Sequence, residues 1–176
     1  MRHPARISLR GYVTAAVTIF AVLAFAPQAW SKPAPKPARC LVMTEALAKT
    51  LFDEWNRELQ KPKDPDKVVG TYDPDAVLLP TFKNGPLVGR AAIRTYFADT
   101  FLPENPVGRI DTRNIVRSPC NIGVVAGLYT FTVDEGGRRV DKAARYTYVY
   151  IYKPEIKRWL ISHHHSSAQP QKAATQ

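Results

Sequence analysis

The sequence lacks several features that mark common functional classes. It has no glycine-rich phosphate-binding loop, which excludes nucleotide binding of the P-loop kind, and neither an internal repeat nor a heptad, which excludes a solenoid or a coiled coil. Its longest apolar run, residues 11–26, is shorter than the roughly 20 residues that span a bilayer. The 176 residues are enough for one compact domain with a substantial core, and too few for two ordinary ones.

The N-terminal segment has the layout of a secretory signal peptide. A basic start is followed by the apolar run and then by Pro27. The small residues Ala29 and Ser31 come next and are typical of a cleavage site. We expect cleavage after Ser31, with residues 1–31 as the signal peptide and 32–40 as an extended linker rich in proline and lysine. The alternative is an uncleaved membrane anchor. Cleavage predicts a periplasmic or secreted protein with no stable membrane insertion.

Removal of the signal peptide also removes three arginines and lowers the formal net charge from +10 to +7. The remaining chain has 22 basic and 15 acidic residues. Most of the remaining basic residues are spread along the chain. Arg109, Arg113 and Arg117 recur at every fourth position and would share one face of a strand. Such a basic stripe can bind a polyanion. Export argues against nucleic acid as the partner. The usual explanation of a basic stripe is solvated surface charge without a binding role.

The predicted export determines how the two cysteines are interpreted. In an oxidising compartment Cys40 and Cys120 can form a disulfide, and closing a loop of about 80 residues stabilises a fold by roughly 4 kcal/mol in the loop-entropy model. The alternatives are two unrelated buried thiols or a catalytic cysteine, although the sequence shows no obvious activating base. We expect the disulfide.

Hydrophobic periodicity predicts three helices in the N-terminal half of the domain. Apolar residues recur at helical spacing after Thr44, a candidate N-cap, and predict a long amphipathic first helix. Asp64 followed by Pro65 is the start signal of a short second helix that ends near Tyr72. A third helix is predicted over residues 89–102.

Strand patterns fill the rest of the chain. Residues 76–82 and the short return strand at residues 87–88 predict a hairpin, and four longer strands rich in β-branched and aromatic residues follow. These strands cover residues 108–117, 121–133, 138–152 and 158–167. The order of elements predicts an α+β fold in which a curved antiparallel sheet packs its helices on one face.

The order of elements and several local sequences resemble those of bacterial proteins related to the association domain of calcium/calmodulin-dependent protein kinase II. The resemblance covers about residues 41–170 and rests on residues 46–81, on the hairpin NGPLVG and on the ending RWLISHHHSSAQP. In that ending, His163, His165 and Ser167 match a His-any-His-any-Ser pattern of the association domain. The group is nuclear-transport-factor-2-like, and it also includes SnoaL-like cyclases and ketosteroid isomerases.

The resemblance implies a cone-shaped sheet with three helices on its concave face, a pocket between them, and homo-oligomerisation through the outer sheet surface into a dimer or a larger ring. The domain would occupy residues 41–170, with 171–176 as a disordered tail. Kinase activity is not implied, because the kinase nucleotide-binding and catalytic motifs are absent from the sequence. By ungapped matching, the pocket arginines of the association domain fall on Leu128 and Tyr148 here, so the pocket would be less cationic.

The register of the final hairpin decides which side chains reach the pocket. An unbroken antiparallel register that starts with Tyr152 opposite Trp159 puts alternate residues on one face. The pocket-lining residues of these two strands would then include Tyr146, Tyr148, His163 and His165. Trp55 and Tyr96 on the covering helices are candidates for the opposite wall, with ordinary core packing as the alternative. Such a pocket suits a small molecule that is partly aromatic or rich in oxygen.

Imidazoles at positions 163 and 165 are also suitable metal ligands, roughly 7 Å apart on one strand face. A tight site needs a third or fourth ligand, and no carboxylate occurs in the same strand. We therefore expect no metal and no cofactor. Half-buried histidines with structural hydrogen bonds are the simplest alternative.

Two functions remain open. The first is an exported, homo-oligomerising module that binds an unidentified small ligand without catalysis. The second is a SnoaL-like small-molecule enzyme, either a cyclase, an isomerase or an oxidoreductase, with His163 or His165 as the acid/base near neutral pH. The isomerases place an aspartate base where this chain has Pro80, and a proline cannot abstract a proton. The sequence therefore favours the binding module.

Overall fold

The computed structural model describes residues 40–170. The predicted signal peptide, residues 32–39 of the predicted linker and the predicted tail at residues 171–176 lie outside the described residues. The elements in chain order are α1 (Glu45–Gln60), α2 (Pro65–Val69), β1 (Tyr72–Leu79), β2 (Leu87–Val88), α3 (Gly89–Tyr96), β3 (Val107–Arg117), β4 (Ile122–Glu135), β5 (Arg138–Lys153) and β6 (Arg158–Ala168). Helix α3 continues through a π-helical turn (Phe97–Phe101) and a 3-10 turn (Leu102–Glu104). In this part of the chain, no helix combines the length and the apolar character that crossing a membrane requires.

The first two helices start where capping chemistry predicts. The Thr44 hydroxyl accepts a hydrogen bond from the Leu47 N–H at 3.2 Å. The Asp64 carboxylate accepts one from the Asp66 N–H at 2.9 Å, with Pro65 at the first helical position. Each cap satisfies a backbone donor that has no partner inside its helix. The predicted starts of α1 and α2 are confirmed.

Helix α2 ends earlier, and strand β1 starts earlier, than the sequence predicts. The backbone at this junction is held by distant residues. The Arg90 guanidinium donates to the Tyr72 carbonyl oxygen at 2.5 and 2.9 Å, and the Ile161 N–H donates to the Thr71 carbonyl oxygen at 2.9 Å. These tertiary contacts extend the strand to Tyr72. The sequence does not predict this start, because tertiary contacts override the weak intrinsic preference of a segment for one type of secondary structure.

The six strands form one curved, unclosed sheet in the order β2-β1-β6-β5-β4-β3. All neighbouring strands are antiparallel except β1 and β6, which run parallel. The three helices pack on the concave face, as predicted, and their apolar residues meet aromatic side chains of the sheet. Five large aromatic residues at this contact are essentially fully buried: Trp55, Tyr72, Phe97, Tyr129 and Tyr148.

The first described residues are tied to the turn between β3 and β4. Cys40 and Cys120 form the predicted disulfide. Beside it, the Asn121 N–H donates to the Leu41 carbonyl oxygen at 2.8 Å, and the Leu41 N–H donates to the Asn121 side-chain oxygen at 3.0 Å. The covalent link and the two hydrogen bonds fix the segment that leads into α1.

The Asn56 side chain joins helix α1 to the edge strand β3. The Asn56 amide nitrogen donates to the Gly108 carbonyl oxygen, and the Asn56 amide oxygen accepts from the Gly108 N–H, both at 2.8 Å. An amide side chain can make both bonds because it carries a donor and an acceptor. This link holds Trp55, one residue earlier, over the concave face of the sheet.

Candidate functional site

The register of the final hairpin changes at a β-bulge. The pairing near the turn, with Tyr152 opposite Trp159, is as predicted, but Ser162 has no partner on β5. It is the extra residue of the bulge. Since side chains alternate along a strand, each β6 residue beyond Ser162 faces the opposite side from the one predicted.

The prediction that His163 and His165 line the pocket is therefore wrong, and the bulge is the reason. Both imidazoles lie on the outer face of the sheet, where His163 is half-buried and His165 is exposed. His164 takes the inner position, opposite Tyr148 on β5 and next to Leu78 on β1. The middle histidine of the three is the one that faces the helices.

His164 lies at the centre of a buried aromatic cluster. Its ring stacks on Tyr148 with the centroids 4.1 Å apart, and it meets the Trp55 ring in a T-shaped arrangement at 5.6 Å. The Tyr72 hydroxyl is 2.9 Å from Nδ1 of His164, and the Tyr129 hydroxyl is 3.4 Å from Nε2. Both ring nitrogens are thus bonded to phenols, one from β1 and one from β4.

The groups of this cluster are uncharged at neutral pH. Burial, with smaller contributions from His163 and His165, lowers the pKa of His164 from 6.5 to about 3. Burial likewise raises the pKa of the Tyr72 and Tyr129 hydroxyls. The cluster therefore offers neutral donors and acceptors rather than charges.

Further polar groups lie next to the cluster at both of its ends. Ser166 lies beside the Tyr129 hydroxyl and acts to lower its pKa against the larger effect of burial, and the hydroxyl oxygens of Ser166 and Thr81 are 2.5 Å apart. At the other end, the Trp55 indole N–H faces the Tyr72 hydroxyl without a well-aligned hydrogen bond. We call Tyr72, His164, Tyr129, Ser166 and Thr81 the hydroxyl chain.

A cavity of about 480 Å³ opens between the sheet and the helices, and all members of the hydroxyl chain except Tyr72 line it. Its apolar lining includes Trp55, Leu78, Tyr96, Phe97, Phe101 and Phe131. Its uncharged polar lining includes Thr81, Tyr129, His164 and Ser166. A cavity of this size, with aromatic walls and a few placed polar groups, is typical of small-molecule sites.

The structure brings together some of the predicted pocket residues and separates others. Trp55 and Tyr96 line the cavity. Tyr146 and Tyr148 are buried on the inner face but lie behind the lining, with the Tyr146 ring 4.9 Å from Tyr129 and the Tyr148 ring against His164. They support the wall rather than form it.

The sequence prediction does not include His164, Tyr129 or Ser166. A signal for Tyr129 exists, because Tyr129, Phe131 and Val133 alternate along β4 and all face inward. No comparable signal exists for His164 and Ser166. Their inward direction depends on the bulge, which the polar sequence around it does not reveal.

The charged groups at the cavity rim are paired with one another. Asp141 is the one carboxylate that lines the cavity within residues 40–170, and it pairs with Arg109 at 3.2 Å. Lys142 pairs with Glu135 at 2.7 Å. Pro80, which the sequence analysis expects where the isomerases have an aspartate, is buried in the cavity wall. The rim is therefore close to electrically balanced.

Metal ligation finds little support in the described residues. They contain no group of three or more histidine, cysteine or carboxylate side chains that could hold a metal ion. His163 and His165 lie opposite Val149 and Thr147 of β5, neither of which is a metal ligand of the usual kind. Burial, followed by the neighbouring His165, lowers the pKa of His163.

The outer face of the central strands is largely apolar. Its half-buried apolar residues on β1, β4 and β5 are Val77, Leu79, Val124, Ala126, Leu128, Val149 and Ile151. They surround the outward-facing His163. A contiguous exposed apolar surface rimmed by polar residues is typical of an interaction site.

The fold and the cavity define a protein of the nuclear-transport-factor-2-like class. A superfamily protein of that name from Salmonella enterica serovar Typhimurium has a TM-score of 0.61 and 18% identity, over 72% of this chain and 91% of that one. A ketosteroid isomerase-like protein from Erwinia carotovora atroseptica has a TM-score of 0.56 and 15% identity, over 73% and 100%. At these identities the likeness is one of fold alone.

The family follows from closer matches. The family model of the calcium/calmodulin dependent protein kinase II association domain matches residues 45–170. A protein from Xanthomonas campestris named for the same domain is 42% identical, with a TM-score of 0.67 over 74% of this chain and 91% of that one. The chain belongs to the calcium/calmodulin dependent protein kinase II association domain family. No curated protein matches it.

Proposed function

We propose that this domain binds a small, uncharged and largely apolar molecule in its cavity. The observation that carries the proposal is an aromatic cavity of about 480 Å³ whose polar lining is neutral apart from Asp141 and Lys142, each of which is paired with an opposite charge. Aromatic walls provide a large apolar contact area at little entropic cost, and a few fixed polar groups orient the ligand. The paired charges at the rim add no strong preference for an ion of either sign.

The ligand-binding residues in this proposal are Trp55, Tyr96 and His164 together with the serine and threonine of the hydroxyl chain. Trp55 and Tyr96 line the cavity from α1 and α3, and His164 lines it from β6. Tyr146 and Tyr148 contribute by holding Tyr129 and His164 in place.

Binding is favoured over catalysis by the position and basicity of the histidines. His163 and His165 face away from the cavity, so neither reaches a ligand bound there. His164 does line the cavity, but with a pKa of about 3 it accepts a proton too weakly for general acid/base work near neutral pH. The enzyme hypothesis therefore has no histidine that both lines the cavity and titrates near neutral pH.

Native mass spectrometry of untagged protein, purified from its exported form, tests the binding proposal. We expect a complex heavier than the chain by the mass of an organic ligand. In Ala168→Trp, an exposed residue at the cavity mouth becomes a bulky side chain, and the added mass should be lost. A spectrum with only unliganded chain for both proteins would count against the proposal.

We also propose that the domain self-associates through the outer face of its sheet. The apolar outer residues of β1, β4 and β5 support this surface, and the partner is a second copy of the chain. Membership of a family described as an association domain agrees with self-association but does not specify the number of copies.

Export is the third part of the proposal. The layout of residues 1–31 and the disulfide between Cys40 and Cys120 both agree with an oxidising compartment. Peptide mapping under non-reducing conditions should find Lys32 as the mature N-terminus and Cys40 joined to Cys120. An intact Met1 or free thiols would argue for retention in the cell.

A further inference from the structure

The β-bulge at Ser162 places His163 in the middle of the apolar outer face. The Cα partners of His163 are Val77 on β1 and Val149 on β5, so aliphatic residues flank the imidazole on both neighbouring strands. His163 is half-buried there by its own chain alone. A group that can change its charge near neutral pH thus lies at the centre of the surface that we propose for self-association.

The charged residues that β5 adds to the outer face lie at the ends of that face. Arg145 and Lys153 are each four residues from Val149 in the sequence, about 13 Å along the strand. Lys153 pairs with Asp73 at 2.6 Å, and Arg145 donates to the Ser167 hydroxyl at 3.2 Å. The part of β5 next to the imidazole is therefore uncharged.

Strands β1 and β6 provide two further ionisable neighbours, Asp75 and His165. Asp75 acts on Lys153, whose pKa is raised by its hydrogen bond with Asp73 and, to a smaller extent, by Asp75. The pKa of His163 is lowered mainly by burial, and the neighbouring His165 adds to this effect. Both causes favour the neutral imidazole at position 163.

Contact between two copies of the outer face adds a further cost to protonation of His163. In a two-fold symmetric contact both chains use the same patch, so a group near its centre is buried against its own counterpart. Two imidazolium ions buried there would repel each other and would have no opposite charge to replace their lost hydration. Neutral rings carry neither cost. Association and protonation of His163 therefore oppose each other.

The sign of the pH dependence follows from this opposition. Cover by a second copy lowers the pKa of His163 below its value in the single chain, because burial favours the neutral form. Association is thus at full strength above the single-chain pKa, which is itself lowered from 6.5, and it weakens as the pH falls through that pKa. Two copies that separate take up one proton each at His163, so the dissociation constant rises toward about 100-fold per pH unit.

We propose that His163 makes self-association of the domain dependent on pH: two copies associate through the outer face while the imidazole is neutral, and they separate when it takes up a proton. The inference rests on the proposed function, since it requires that the outer face is the contact between copies. The bulge builds this control into the fold, because without the extra residue His163 would face the helices.

Sedimentation velocity over a range of protein concentrations, at pH 7.5 and at pH 5.0, tests the inference. The dissociation constant of the wild type should be at least about fivefold larger at pH 5.0. His163→Gln is neutral at both pH values, and its dissociation constant should change by less than about twofold. His165→Gln, at an exposed position of the same strand, is the matched control and should keep the wild-type ratio. All three proteins retain His164, so acid destabilisation of the fold affects them equally.

His163→Lys tests the effect of the charge itself, since an ammonium group remains protonated at pH 7.5. This variant should be monomeric at pH 7.5 at concentrations where the wild type associates, with an unchanged circular dichroism spectrum. The wild-type ratio of dissociation constants in His163→Gln, loss of that ratio in His165→Gln alone, or wild-type association of His163→Lys would overturn the inference. Association of the wild type that is equal at both pH values would overturn it while leaving the proposed surface intact. A wild type that is monomeric at pH 7.5 would remove the proposed surface and the inference together.

Discussion

His164 lies beneath the cavity with both ring nitrogens bonded to tyrosine hydroxyls and with an aromatic ring on each side. Such an environment offers no compensation for a positive charge. An imidazolium donates from both ring nitrogens, whereas the neutral ring accepts a hydrogen bond at one of them, so protonation would leave one tyrosine O–H without its acceptor. The residue therefore contributes to the fold only in its neutral form.

Acid should destabilise the domain through this residue. The unfolded chain takes up a proton near pH 6.5, whereas folded His164 does so only near pH 3, because its pKa is lowered by burial. Its contribution to stability is thus complete above pH 6.5 and decreases as the pH falls toward 3. Between pH 6.5 and 4.5 the loss should be about 2 kcal/mol in the free energy of unfolding.

Urea unfolding at several pH values measures this effect, and His164→Gln is the informative variant because glutamine does not titrate. The decline between pH 6.5 and 4.5 should be smaller in His164→Gln than in the wild type. His165→Gln, on the exposed outer face, is the matched control and should keep the wild-type decline. Identical slopes for the wild type and His164→Gln would contradict the lowered pKa.

Among the secondary-structure elements, α1 and the edge strand β3 depend on each other. Strand β3 has a strand neighbour on one side only, and the Asn56 side chain provides a partner for Gly108 on the other. The side chain supplies both bonds that a neighbouring strand would make at this residue. Trp55, which lines the cavity, belongs to the same helix.

Asn56→Ala should lower the free energy of unfolding by about 2 kcal/mol. Two hydrogen bonds to the buried Gly108 are lost, and the better helix propensity of alanine offsets only part of that loss. Hydrogen exchange at the Gly108 amide should accelerate as well. Glu54→Ala, an exposed change in the same helix, is the control and should remain within about 0.5 kcal/mol of the wild type. An unchanged Gly108 exchange rate in Asn56→Ala would show that the bond is not formed in solution.

The strand elements also show how far the sequence predicts the structure. All nine helices and strands between residues 40 and 170 are predicted, since their apolar periods and turn residues are local signals. The bulge at Ser162 is not, because residues 162–167 are all polar and an alternating pattern cannot be read from them. For this reason the fold is predictable, while the choice of His164 over its two neighbours needs the three-dimensional pairing with β1 and β5.

At the scale of the whole molecule, the sheet separates two surfaces with different chemistry. The concave face holds the aromatic cluster and the cavity, and the outer face presents half-buried aliphatic residues around His163. A ligand on one face and a second copy of the chain on the other would not compete for space. The two proposed functions are compatible in one domain.

Val149→Lys should weaken self-association. Val149 lies near the centre of the outer face, opposite His163, and burying a lysine there without a partner is costly. Sedimentation velocity should show an assembly for the wild type and monomer for the variant at the same concentration. Thr95→Lys, on the exposed side of α3, is the control and should assemble normally. A monomeric wild type, or an unchanged assembly of Val149→Lys, would contradict the proposed surface.

Binding of fluorene, an uncharged aromatic probe with no polar group, tests the central claim about the cavity most directly. Equilibrium dialysis should give a dissociation constant on the order of 10 µM for the wild type, as expected for a ligand of this size. Ala168→Trp at the cavity mouth should bind at least roughly tenfold more weakly, since the added ring excludes the probe from the cavity. Ala91→Trp, at an exposed alanine of α3 outside the cavity lining, should bind as the wild type does. No binding to the wild type, or equal binding to Ala168→Trp, would contradict a ligand site between the helices and the sheet.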